Sequence, residues 1–256
     1  MRTYAVVLPK IILFLLLLSG CTMKTPTIAH THIGHTMDGW AATPDQAGLF
    51  TTADESAQNA AQAADAAAKA QDLISIKYNI NNVLSHTNPD IFTSGASAEK
   101  TEYGVKNALA EAVEHVRFAA DSPDASDNVR NSALQFIDHS RHVLTRCDLI
   151  TLLGDEILNS TSTEEANILS GELLKLTRAN LEGEERNGDG IIGSTPEEYG
   201  LKQLRVELQA MIDREVPAYE TVGQWYLFNL VRLQSGEWIF KERQSGGYEG
   251  GGGGGY

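Results

Sequence analysis

Residues Thr52–Ser85 read T-A-D-E-S-A-Q-N-A-A-Q-A-A-D-A-A-A-K-A-Q-D-L-I-S-I-K-Y-N-I-N-N-V-L-S, and this run decides the fold class. Thr52-Ala53-Asp54-Glu55 has the pattern of a capping box, in which a hydroxyl and a carboxylate satisfy the first free N–H groups of a helix. An alanine-rich tract follows to Lys69, and then Leu73, Ile76, Ile80, Val83 and Leu84 recur at helical spacing. The pattern predicts one long helix over 53–85. Its alanine half lets a neighbouring helix approach closely.

The same signals continue downstream. Thr87–Ser97, with Asn88-Pro89 and Gly95, reads as a loop. A helix is expected over 100–120 on Val105, Leu109, Ala112 and Val116. Pro123 breaks it, and a longer helix runs to 159 on Val129, Ala133, Phe136, Val143, Cys147, Ile150 and Leu153, with Gly154 as a bend or a fraying end. Thr161 or Ser162 with Glu164 or Glu165 offers a capping box for a fourth helix that reaches 183. Thr195-Pro196-Glu197-Glu198 starts a fifth, with a hydroxyl cap, proline at the first position and acids in the first turn. Short connections favour antiparallel neighbours, so residues 52–215 are expected to form an all-α antiparallel helical bundle of about five helices. Over 216–245, Trp225–Val231 and Trp238-Ile239-Phe240 are aromatic and β-prone, and a small hairpin is preferred to a short helix. The glycine-rich tail 246–256 reads as flexible.

Between the fourth and fifth helices lies Glu185–Glu198, E-R-N-G-D-G-I-I-G-S-T-P-E-E. With Glu185 as position one, Asn187, Asp189, Gly190, the Ile191 carbonyl and Ile192 fall where an EF-hand loop places its oxygen donors, turn glycine and hydrophobic residue. The stretch therefore resembles an EF-hand over its first nine positions. The closing bidentate glutamate of that motif is replaced by Pro196, so Glu197 or Glu198 would have to complete the shell. Calcium held weakly by Glu185, Asn187, Asp189, Ile191, Glu197 and Glu198 is one expectation. A bare turn is the other, because N-G and D-G are turn dipeptides in their own right.

The chain opens M-R-T-Y-A-V-V-L-P-K-I-I-L-F-L-L-L-L-S-G-C, two cations before an apolar run too short to span a bilayer. Leu18-Ser19-Gly20-Cys21 resembles the lipobox of bacterial lipoproteins. That resemblance implies a signal peptide over 1–20, cleavage before Cys21 and a lipid on its thiol, so that the membrane is reached through the N-terminal lipid. Thr22, in place of the aspartate that retains such proteins at the inner membrane, implies the periplasmic face of the outer membrane. Residues 21–51 then form a tether with a histidine-rich segment. Loss of Arg2 and Lys10 moves the net charge from −14 to −16. Such acidity argues against nucleic acid as a partner, since phosphates need a basic surface. With Cys21 lipidated, only Cys147 is left, which excludes an internal disulfide and places stability on a packed core.

His30-Thr31-His32-Ile33-Gly34-His35 sets three imidazoles in six residues, and neutral imidazole suits zinc, copper, nickel or iron. His139 and His142 share one side of the third helix, and His115 lies on the second. Bundles build metal or haem sites from facing helices in this way. His30, His32, His35, His115, His139 and His142 are thus candidate ligands of a transition metal or a non-covalent haem. Nothing resembles a nucleophile elbow, a phosphate loop or a zincin helix. The expectation is a non-enzymatic, lipid-anchored, metal-binding protein with a structural or docking role toward an envelope partner. A redox or metal-handling lipoprotein is the alternative.

Overall fold

The computed structural model describes residues 21–24, 26–92, 103–216, 218–219, 224–227, 230–232 and 238–240, with side chains from 26 to 219 within those ranges. The expected signal peptide and glycine-rich tail lie outside the described residues. The chain divides into two compact units, Thr27–Tyr219 and a second unit made from Met1–Pro26 with Glu220–Tyr256. The first unit is helical. It contains, among the described residues, α1 (Ile28–Met37), α2 (Leu49–Lys69), α3 (Leu73–Thr87), α4 (Gly104–Asp121), α5 (Asp127–Asn159), α6 (Thr163–Glu182) and α7 (Leu201–Asp213).

The bundle is all-α, as the periodicity indicates, but with seven helices rather than about five. The long helix expected over 53–85 is two. Ala70 is extended, and Asp72 caps α3 by accepting the Ser75 N–H at 2.9 Å. An aspartate cap inside an alanine-rich run is a local signal strong enough to restart the helix. The expected capping box at Thr52 does not operate either, because α2 begins earlier, at Leu49. Leu49 and Phe50 are fully buried, and the Thr52 hydroxyl donates back to the Gly48 carbonyl at 3.1 Å. Core packing moves this boundary.

Two apolar clusters make the core. One joins Ile33 of α1, Leu49 and Phe50 of α2, Val105, Leu109 and Val116 of α4, Phe136 and Val143 of α5, and Leu204 and Leu208 of α7. The other joins Ala60, Ala64 and Ala67 of α2, Ile76 and Ile80 of α3, Ile150 and Ile157 of α5, and Leu173 of α6. Helix α5, with 33 residues and so about 50 Å long, contributes to both. It continues through Gly154 to Asn159. A Cβ there would meet the Leu84 side chain at 2.6 Å, so glycine is where α3 comes closest. The alanines of α2 serve the same end, burying Ala57, Ala60, Ala64 and Ala67 as one small-residue face.

The fifth expected helix also divides. Pro196–Glu198 forms a 3-10 turn, and α7 starts only at Leu201 after an extended Gly200. A Cβ on Gly200 would stand 2.3 Å from the Gly183 nitrogen, so the chain passes hard against the end of α6 at this point. In the second unit, β1 (Cys21–Lys24), β2 (Gln224–Leu227), β3 (Leu230–Arg232) and β4 (Trp238–Phe240) form an antiparallel sheet in chain order. Among the described residues the aromatic stretch is therefore strand and not helix, at Gln224–Leu227, Leu230–Arg232 and Trp238–Phe240. Cys21, expected in a tether, pairs with Leu227.

Candidate metal centre

The histidine-rich segment, placed by the sequence in a tether with turn residues, is helix α1. Thr27 caps it by accepting the His30 N–H at 3.0 Å. The Asp124 carboxylate, from the α4–α5 turn, accepts the Ile28 and Ala29 N–H groups at 2.7 and 3.1 Å. A carboxylate at a helix N-terminus satisfies free donors and opposes the positive end of the helix dipole. Ile33 and Ala29 bury the inner face. A short helix with few strong formers is stable here because it is docked.

Once the segment is helical, spacing sorts its histidines. His32 and His35, three apart, share a face. Both turn to His115 of α4. The Nδ1 atom of His115 lies 3.1 Å from Nδ1 of His32 and 3.3 Å from Nδ1 of His35, and the three ligand atoms lie within 4.8 Å of one another. This group could hold a metal ion. His30, two residues before His32, projects from another side of α1. Its Nε2 meets Glu215 Oε2 at 2.9 Å, and Glu215 Oε1 accepts from Ser126 Oγ and Asn128 Nδ2 at 2.6 Å each.

Aromatic rings wall the centre. The Trp40 ring centroid is 4.5 Å from that of His35 and 4.6 Å from that of His115, and Phe118 lies 5.4 Å from His32. Burial pushes the His32 imidazole below its usual range. The same burial, with the adjacent His32, lowers that of His35. His115 is brought down to about 4 by burial and then by its two histidine neighbours. At neutral pH all three rings are therefore uncharged, the form that ligates metal. A lone nitrogen carries either a proton or a lone pair, so His115 Nδ1 cannot donate to one ring and accept from the other. Three imidazole nitrogens meeting at a point suit a cation better than they suit one another.

The other expected ligands are not brought to this point. His139 Nδ1 is 2.7 Å from Glu207 Oε1, and its ring stacks on Tyr199 at 4.0 Å. His142 lies near Glu197, helping to hold that carboxyl in its charged form after its hydrogen bonds. In addition, Cys147 is fully buried beneath an Asn180 Nδ2 donor at 3.2 Å, and burial pushes its thiol up to about 12. Such a thiol is packing, not chemistry.

The EF-hand-like loop keeps its oxygens for itself. Glu198, fully buried, accepts the Arg186 and Asn187 N–H groups at 3.1 and 3.3 Å on Oε1. Its Oε2 accepts those of Gly193, Ser194 and Thr195 at 3.0, 2.9 and 3.4 Å. Burial alone would raise the Glu198 pKa, but the loop N–H groups outweigh it and hold the carboxyl low. Asp189 Oδ1 accepts the Ile191 N–H at 2.7 Å, Asn187 Oδ1 the Asp189 N–H at 2.9 Å, and Glu185 the Gly188 N–H. Glu197 is exposed, as are Ile191 and Ile192 at 63% and 43%. The loop is thus organised around the Glu198 carboxylate, and among the described residues its acidic side chains do not form a group of three that could hold a metal ion.

No family model, curated protein or solved structure matches this chain.

Proposed function

We propose that the helical unit binds a transition-metal ion through His32, His35 and His115, in a protein held by a lipid on Cys21 at the periplasmic face of the outer membrane. The observation that carries the reading is the convergence of the His32, His35 and His115 rings, with His115 Nδ1 at 3.1 and 3.3 Å from the Nδ1 atoms of the other two. Metal–nitrogen bonds of about 2.0–2.1 Å in a tetrahedral shell set nitrogens about 3.3 Å apart, which is the observed spacing. Nitrogen donors favour zinc, copper, nickel or iron over calcium, which takes oxygen. A porphyrin plane has no place between nitrogens this close, so an ion is favoured over haem. Of the two glutamates that could close a calcium shell at Glu185–Glu198, Glu198 already accepts five backbone N–H groups, which leaves the exposed Glu197 for that role.

The anchor rests on the Leu18–Cys21 motif, and the role at the envelope is structural or partner-docking rather than catalytic. Among the described residues no helix is long and apolar enough to cross a membrane. Metal analysis of untagged protein tests the centre: a stoichiometric transition metal in the wild type is expected, with loss in His115→Ala. No retained metal, or a content unaltered by that substitution, would refute the assignment. For the anchor, palmitate labelling should disappear in Cys21→Ala, and persistent labelling would rule it out.

A further inference from the structure

We infer that the centre leaves one coordination position open and that a small anion occupies it. This rests on the metal-binding reading above and extends it from the ion to a ligand of the ion. The first ground is the donor count. Among the described residues no aspartate, glutamate or cysteine joins His32, His35 and His115. Four of the carboxylates on or beside the two ligand helices are engaged elsewhere. Asp38 accepts from Tyr219 Oη at 3.0 Å, Glu111 from Tyr103, Glu114 from Arg117 at 2.6 Å, and Asp124 from the start of α1. Three protein ligands with a free position is the pattern of sites that hold an exchangeable ligand, whereas structural sites are closed by four.

The second ground is access. His32 and His35 are half-buried and Phe118 is 49% exposed, so the group sits at the edge of the α1–α4 packing and not inside it. The third is charge. Three neutral imidazoles leave the full charge of a divalent ion uncompensated, beside the apolar rings of Trp40 and Phe118. An uncompensated ion against a low-dielectric wall gains most from an anionic fourth ligand.

The test uses the full chain loaded with cobalt(II), whose visible absorption reports its coordination shell, titrated with azide. A saturable shift in band position and intensity, with cobalt still bound after gel filtration, is expected. Phe118→His, which sets a fourth imidazole beside the centre, should keep cobalt and lose the azide response. Bound cobalt with a spectrum indifferent to azide means a closed shell and overturns this inference alone. Failure of the wild type to hold cobalt, zinc or copper overturns the metal-binding reading itself, and the metal content tells the two failures apart.

Discussion

Replacing His115 by alanine in the metal-loaded protein removes the nitrogen that both other ligands face, at 3.1 and 3.3 Å. What is left is the pair on α1, two imidazoles one helical turn apart. An ion that binds only the folded chain stabilises it by about 2.7 kcal/mol when its free concentration is a hundredfold above Kd. For a unit the size of Thr27–Tyr219, each kcal/mol moves Tm by roughly 2–4 °C, so zinc should raise the wild-type Tm by roughly 5–11 °C. In His115→Ala the same zinc concentration should move Tm by less than about 2 °C, because the remaining pair is far from saturated. Thermal unfolding of tag-free protein, with and without zinc chloride, measures both shifts against each protein's own metal-free Tm. That internal reference matters, since the substitution also removes a buried ring between Trp40 and Phe118. A variant whose zinc shift equals that of the wild type would refute the reasoning, because the ion would then be bound elsewhere.

Acid should loosen the metal-free protein through the same rings. The pKa values of His32, His35 and His115 are all lowered on folding, that of His115 to about 4, so the unfolded chain takes up protons first. Stability therefore falls as pH drops from about 6.5 towards 4. For His115 the ceiling of roughly 3 kcal/mol shrinks to about 1–2 kcal/mol after solvent screening, and urea midpoints of wild type and His115→Gln across that range should differ in slope. Gly200→Ala should cost about 3 kcal/mol in chemical denaturation, because its Cβ would fall 2.3 Å from the Gly183 nitrogen. Gly171→Ala, with nothing within 4 Å of its Cβ, should instead stabilise α6 by roughly 0.5–1 kcal/mol. Millimolar calcium should leave Tm unmoved, given that the Glu198 oxygens are already taken by loop N–H groups; a calcium-dependent rise would show the loop rebuilding itself around the ion.

The helical class was legible because most of the core lies at helical spacing, as Leu109, Val116 and Phe136 show, all buried. The start of α6 was also legible to within a residue, Ser162 being the one of two candidate hydroxyls that caps it, whereas the Ser126 cap of α5 was not singled out by the Pro123 break before it. What pattern alone did not give is set by partners distant in sequence. Helix α1 has glycine and β-branched residues in ten positions, and its N-terminus is satisfied by Asp124, 96 residues from Ile28. Without α1 as a helix, nothing separates His30 from His32 and His35. The division of the long alanine-rich run was announced by Asp72, a cap signal outweighed by the strength of the flanking periodicity. In the loop, the oxygens that calcium would use are the same atoms that cap neighbouring N–H groups. Composition does not distinguish a loop that binds a cation from one that supplies its own carboxylate.

The ligand helices α1 and α4 are far apart along the chain, His35 and His115 being separated by 80 residues. In an unfolded chain, bringing the third nitrogen to the first two means closing that loop, at roughly 4 kcal/mol, or nearly a thousandfold in affinity. As a helix, α1 presents only His32 and His35 on the face turned to α4, so on the metal-binding reading the third nitrogen, that of His115, would be gained only after the intervening helices have assembled. Occupancy of the centre would then report that α1 has docked on α4, and metal uptake would follow folding of the helical unit rather than synthesis of its first histidines.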